Sequence, residues 1–275
     1  MSDDEDLPTS AGVRDALAVG GTTVAVVVDG AGASVGSVPR PYLHPVRTRC
    51  GTTVSAHHPP DHEWHCGVGV AVPDLDGVNC WGGPTYVHGT GYVWRDDHGR
   101  AEVRRRERRD GVLVQDVRWT GPDERVLLHE HRSVAAYATD AGWELRWSSS
   151  FCTPGDVGVV LGSPGSNGRV GAGYGGFTWR FPPCSEVVVR TADASGEAAV
   201  HGSVAPWVEW SAAFADGRAT VRLEALDHRD PWFVRVAEYP AIGSALAWSD
   251  PMTVLPGTPL VRSFRATVTD DTAVG

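Results

Sequence analysis

The densest run of reactive side chains lies between Ser55 and Gly67: Ser-Ala-His-His-Pro-Pro-Asp-His-Glu-Trp-His-Cys-Gly. His57, His58, His62 and His65 stand there beside Asp61, Glu63, Trp64 and Cys66. Imidazole titrates nearest neutrality of the side chains, so clustered histidines suit proton transfer or metal ligation. A carboxylate such as Asp61 can fix the tautomer and orientation of a neighbouring ring. Three readings fit the spacing: a polar loop of hydrogen-bonded histidines, an acid/base pair, or a metal site. The His62-x-x-His65 spacing lacks the helix of the HExxH class, because Pro59-Pro60 blocks one. The segment therefore reads as an ordered loop leading into a strand that begins at Cys66. On such a strand His65 and Cys66 point to opposite faces.

Other stretches are weaker candidates. His129 and His131 share one face of a strand and read as surface decoration. In Leu226-Asp227-His228-Arg229-Asp230-Pro231-Trp232-Phe233-Val234-Arg235 a strand ends, turns, and a new one opens at Pro231. His228 and Arg235 are its ligand-facing candidates. The glycine-rich stretch Gly162–Gly176 has no GxxxxGK[ST] pattern and reads as a long loop bordering a pocket, with Asn167, Arg169 and Tyr174 as recognition candidates. Of the 11 tryptophans most belong in a core, while Trp64, Trp81 and Trp232 are candidate platforms for the apolar face of a sugar. There is no GxSxG elbow and no GxGxxG between a strand and a helix, which argues against a serine-hydrolase triad and a dinucleotide site. The sequence contains no lysine, which excludes Schiff-base chemistry.

These groups must be held by strands. Gly (33) and Pro (19) cut the chain into short Val-, Thr-, Trp- and Tyr-rich runs: Thr22–Val28, Cys66–Val72, Thr85–Trp94, Val112–Trp119, Arg125–Ala138, Trp143–Phe151, Ser185–Arg190, Trp207–Phe214, Ala219–Leu226, Trp232–Ala237 and Leu260–Val268. Period-two alternation puts Trp143, Leu145 and Trp147 on one face, and likewise Val221, Leu223 and Ala225. Only Ala11–Ala18 suggests a helical turn or two. The expectation is an all-β fold, a large antiparallel β-sandwich, with an acidic tail over 1–12 and one domain over 13–275. A concave face or loop rim is where a sugar-sized ligand would bind.

Composition narrows the partners. A formal charge of −10 argues against nucleic acid, and no apolar run is long enough to span a membrane. The start, Met1-Ser2-Asp3-Asp4-Glu5-Asp6, is acidic where a signal peptide is basic, so a cytoplasmic location is expected. The five cysteines are scattered without CxxC spacing and are expected to be free thiols. The run Arg104–Arg109 reads as a solvated strand or hairpin. Cofactor and oligomeric state are not legible.

Pro41-Tyr42-Leu43-His44-Pro45, Asp61-His62-Glu63-Trp64-His65-Cys66-Gly67 and Asp76-Gly77-Val78-Asn79-Cys80-Trp81 together resemble the opening block of the soluble PmoA-like family, labelled methane oxygenase PmoA. The Leu226–Arg235 block is similar to that family's closing motif, and Gly171–Arg180 also fits its members. The resemblance spans roughly residues 40–270 and departs at Cys66, where relatives often have a third His or a Trp, and at Cys80, where Phe is usual. It implies a large β-sandwich akin to the galactose-mutarotase supersandwich, a carbohydrate-type substrate, and functional roles at Asp61, His62, His65, His228 and Arg235. The resulting expectation is an enzyme acting on a sugar or polyol-like molecule by histidine acid/base chemistry, of the epimerisation or β-elimination type. In it His65 is the base, His62 or His228 the acid, Asp61 the orienter, and Arg235 or Arg180 the oxyanion anchor. Alternatives are a metal-dependent oxygenase or hydrolase using the same histidines, and a non-catalytic carbohydrate-binding protein.

Overall fold

The computed structural model describes residues 14–271; the acidic tail expected over 1–12 lies outside them. The architecture is all-β and antiparallel. One ten-stranded sheet runs through Arg14–Val19, Thr22–Val28, Tyr42–Val46, Val68–Leu75, Gly176–Arg180, Ala241–Ala245 and Trp232–Arg235, with Val78–Cys80, Val159–Gly162 and Met252–Val254 attached off this path. An eight-stranded sheet runs Ser185–Arg190, Trp207–Phe214, Gly217–Ala225, Leu260–Asp270, Gly142–Cys152, Val126–Thr139, Val112–Thr120 and Arg100–Arg109. The main buried core, with Trp119, Trp143, Trp179, Trp210 and Trp232 among its largest members, lies between them.

Alternation accounts for which side chains fill that core. Trp143, Leu145 and Trp147 turn inward, as do Val221, Leu223 and Ala225. The Arg104–Arg109 run lies on the edge strand Arg100–Arg109. His129 and His131 face solvent, and His131 bonds Asp116 at 2.8 Å. Three expectations change. Residues 14–19 form an edge strand, not a helical turn, because Leu17 and Val19 alternate into the core. Thr85–Trp94 is a small hairpin, Thr85–Val87 against Gly91–Val93, because His88-Gly89-Thr90 turns the chain. The strand expected from Cys66 begins at Val68, since Gly67 bends the backbone (φ 50°) where an added Cβ would lie 2.0 Å from the Leu43 carbonyl oxygen.

One polar group interrupts the core. Glu130 and Arg132, two apart on one strand, both point inward and are essentially fully buried. Arg132 donates from Nε and Nη2 to the two carboxylate oxygens at 2.8 Å each, and Trp119 and Ser149 add donors to the same carboxylate. Removing one partner strands a buried charge, which costs about 3–5 kcal/mol, whereas an apolar pair of similar volume is often neutral. Urea denaturation should therefore show Arg132→Ala losing stability on that scale and Glu130→Leu/Arg132→Met recovering most of it. Equal losses in the single and double variants would contradict this reading of the pair.

Candidate active site

The His-rich segment folds as a short hairpin. His57 bridges Cys66, and the His58 amide donates to the His65 carbonyl at 3.0 Å. Two successive turns follow the prolines, with the His62 amide bonded to the Pro59 carbonyl and the His65 amide to the His62 carbonyl, each at 2.9 Å. The hairpin is sewn to the sheet through Arg180, whose amide donates to the Gly67 carbonyl and whose carbonyl accepts from the Ala56 amide. Arg40 adds a clamp, donating from Nη2 to the Trp64 carbonyl at 2.8 Å.

Alternation along two neighbouring strands supplies the floor. On Gly176–Arg180, Trp179 turns into the core and Arg180 to the opposite side; on Trp232–Arg235, Trp232 and Val234 turn in and Phe233 and Arg235 turn out. The result is a cleft of about 260 Å³ whose lining includes His62, Trp64, His65, Trp81, Tyr174 and Tyr239. Arg180, Thr178 and Ser244 line a smaller adjoining pocket that shares the His65, Trp81, Tyr174, Phe233 and Tyr239 walls. Trp64 lies against Gly83, where an added Cβ would meet its indole at 2.4 Å.

Within the cleft the rings of His62 and His65 stack, with centroids 4.7 Å apart and planes 17° from parallel. Tyr239 packs on both, at 4.6 Å and 5.3 Å. His62 Nδ1 bonds Asp61 Oδ2 at 2.9 Å, and Arg180 Nη2 donates to both Asp61 oxygens at 2.9 and 2.6 Å. The Arg180 guanidinium lies 4.8 Å from the centre of the Tyr239 ring, a cation–π contact. Its Nε and Nη1 are buried without a hydrogen-bond partner.

The electrostatics follow from this packing. Burial, aided by His62 and by Arg180, holds His65 well below the ordinary imidazole range, so the ring is neutral. Burial would raise the Asp61 carboxyl, but hydrogen bonds from His62 and Arg180 outweigh it and keep the group below the usual carboxylate range. Burial pushes Tyr239 up to about 12, so it stays a phenol.

The family described as "Family of unknown function (DUF6807)" matches residues 15–274. The chain belongs to that family. The description assigns no activity to DUF6807 and does not carry the PmoA-like label. No curated protein matches this DUF6807 chain. A solved structure named "Putative aldose 1-epimerase", from Escherichia coli K12, is similar at 12% identity and a TM-score of 0.44, over 94% of this chain and 99% of that one.

The residues singled out in the sequence divide into three sets. Asp61, His62, His65, Trp64, Tyr174, Arg180 and Arg235 come together at the cleft, and so do Trp81 and Arg169. Asn167 lies next door, donating to Asp74 at 2.8 Å in a pocket that shares the Trp81 and Tyr174 walls. Two expectations fail. Trp232 is fully buried with its indole N–H on the Ala205 carbonyl, because residues three apart on a strand face opposite ways and Arg235 takes the cleft side. His228 does not line the cleft; its Nδ1 bonds Asp227 at 2.8 Å and its ring packs edge-on against Phe264. Tyr239, Phe233 and Glu238 were missed. The strand-alternation rule applied to Trp232–Arg235 would have found Phe233, whereas Tyr239 follows the strand and carries no local signal.

His228 thus belongs to the scaffold, and its titration gives a test. Burial lowers its pKa, with the Asp227 bond only partly opposing this. The unfolded chain then binds a proton, from pH about 6.5 downward, that the folded chain resists. This group's share of stability is complete above that pH and is lost as pH falls towards the folded value, at up to about 1.4 kcal/mol per pH unit. Relative to wild type, His228→Gln should show a shallower loss of unfolding free energy between pH 6.5 and 5. Parallel curves would contradict the assignment.

Proposed function

We propose that this DUF6807 protein is an enzyme acting on a sugar or similar polyol-like carbonyl compound by histidine acid/base chemistry, of the β-elimination type. The observation that carries the reading is the stacked His62–His65 pair in an aromatic-walled cleft, with one ring neutral and buried and the other tied to Asp61. Broad rings such as Trp64, Trp81 and Tyr174 suit the apolar faces of a sugar, and arginines suit its oxygens.

Stacking favours elimination over two-base epimerisation. Rings 4.7 Å apart leave no room for a substrate between them, so both present their edges to one face of it. An inverting epimerisation needs proton donor and acceptor on opposite faces. A syn elimination needs them side by side. In the proposed step, a His65 ring nitrogen takes the proton from the carbon next to the carbonyl, and the C–H electron pair moves towards the carbonyl oxygen. The resulting enolate oxygen is stabilised by Arg180, whose Nε and Nη1 have no other partner, or by Arg235. The pair then returns to expel the β-oxygen, which leaves as water or an alcohol with a proton delivered from Nε2 of His62. Asp61 holds Nδ1 of that ring, leaving Nε2 for the substrate.

Metal chemistry at the same two histidines has less support, because among the described residues no third His, Cys, Asp or Glu completes a close donor set with His62 and His65. Non-catalytic binding is separated by experiment. In D₂O, with a panel of keto-sugars and aldoses bearing a β-oxygen, proton NMR should show enzyme-dependent deuterium uptake or loss of the α-proton. His65→Gln should slow it by a factor of about 10²–10⁴ while the variant still binds the responding sugar. Binding without exchange in the wild type would make this a binding protein.

A further inference from the structure

The hairpin has a second face. His65 enters the cleft, but Cys66 next to it turns the other way, into a small cluster with Val28 and Tyr42. There it meets His57 and His58: one ligand atom from each of the three lies within 4.8 Å of the other two. We propose that His57, His58 and Cys66 form a metal site for a late first-row divalent cation such as zinc, distinct from the His62–His65 cleft.

Three features carry the proposal. Two imidazoles and a thiolate are the donor set that borderline-soft ions prefer. Each imidazole also has the outer partner that ligating histidines usually have. His57 Nε2 bonds the Tyr42 hydroxyl at 2.7 Å, and His58 Nδ1 donates to the Glu63 carbonyl, so each ring keeps one nitrogen for a metal. Finally, the donors come from both arms of the hairpin, paired at the His57–Cys66 bridge, which fixes their relative position through the backbone. His44 stacks on His57 at 5.3 Å and bonds Ser55, walling the site. A tetrahedral ion with bonds of about 2.0–2.3 Å places its donors roughly 3.5 Å apart, a closure that side-chain rotation supplies. Arg40 is a cation close to the site, of the same sign as the metal. Its guanidinium is engaged by the Ser37, Val38 and Trp64 carbonyls, and its charge only partly offsets the burial that pushes the Cys66 thiol up. Three protein donors leave a fourth position for water or another small ligand.

Cobalt(II) is the probe, added to chelator-treated full-length protein under anaerobic conditions. One equivalent should bind and give a thiolate-to-cobalt charge-transfer band in the near ultraviolet, which zinc then bleaches. Cys66→Ser should abolish the band, His57→Gln or His58→Gln should weaken binding at least tenfold, and His62→Gln should leave it unchanged. Tyr42→Phe, which keeps every donor, should weaken binding by about 10–100-fold and stands in if Cys66→Ser does not fold. Absence of a band in the wild type, a band that survives Cys66→Ser, or loss of binding in His62→Gln would each overturn the site.

Discussion

Everything at the cleft depends on the ion pair between Arg180 and Asp61. Arg180 sits at the end of a central strand with its side chain 5% exposed, and a guanidinium so placed costs several kcal/mol unless a carboxylate meets it. Asp61 is the carboxylate that does so, and it lies in the turn after Pro59-Pro60. Meeting Arg180 seats the whole hairpin on the sheet, in register with the backbone bonds that Arg180 makes to Ala56 and Gly67. The same carboxylate then holds Nδ1 of His62, so the charge balance that permits the burial also sets the orientation of the His62 ring. Tyr239, over which the guanidinium lies, closes the arrangement from the other side.

Two simple rules of β structure distribute the remaining parts. Alternation sends the tryptophans of the Gly176–Arg180 and Trp232–Arg235 strands into the core and their arginines into the cleft. At the end of the His-rich hairpin it sends His65 to one side and Cys66 to the other. A cluster that looks like one site along the chain is thus two in space, with His62 and His65 on the cleft side and His57, His58 and Cys66 behind.

Much of this was legible in the sequence, for physical reasons that differ by residue. The core strands declared themselves because Trp143, Leu145, Trp147 and Val221, Leu223, Ala225 alternate cleanly. Asp61, His62 and His65 were legible because their chemistry is local: an orienting carboxylate beside its imidazole, and a second imidazole one turn away. The short strands Val159–Gly162, Gly176–Arg180 and Ala241–Ala245 were not, since runs of four or five residues are too short to show a period. Trp232 was misplaced by reading residue type ahead of strand parity. His228 was drawn in by an Asp-His pair that here serves a buried turn. Tyr239 reaches the histidines only through the fold, so no local pattern announces it.

The central claim is that Arg180 and Asp61 fix His62 with its Nδ1 proton towards the carboxylate. Long-range proton–nitrogen correlation NMR on histidine-labelled protein reads that tautomer directly, with His62 assigned from a His62→Gln sample. The account predicts a protonated Nδ1 on His62 in the wild type and a shift towards the Nε2-protonated form in Arg180→Met, where Asp61 loses its anchor. A His62 with Nδ1 unprotonated in the wild type, or a tautomer indifferent to Arg180→Met, would contradict it.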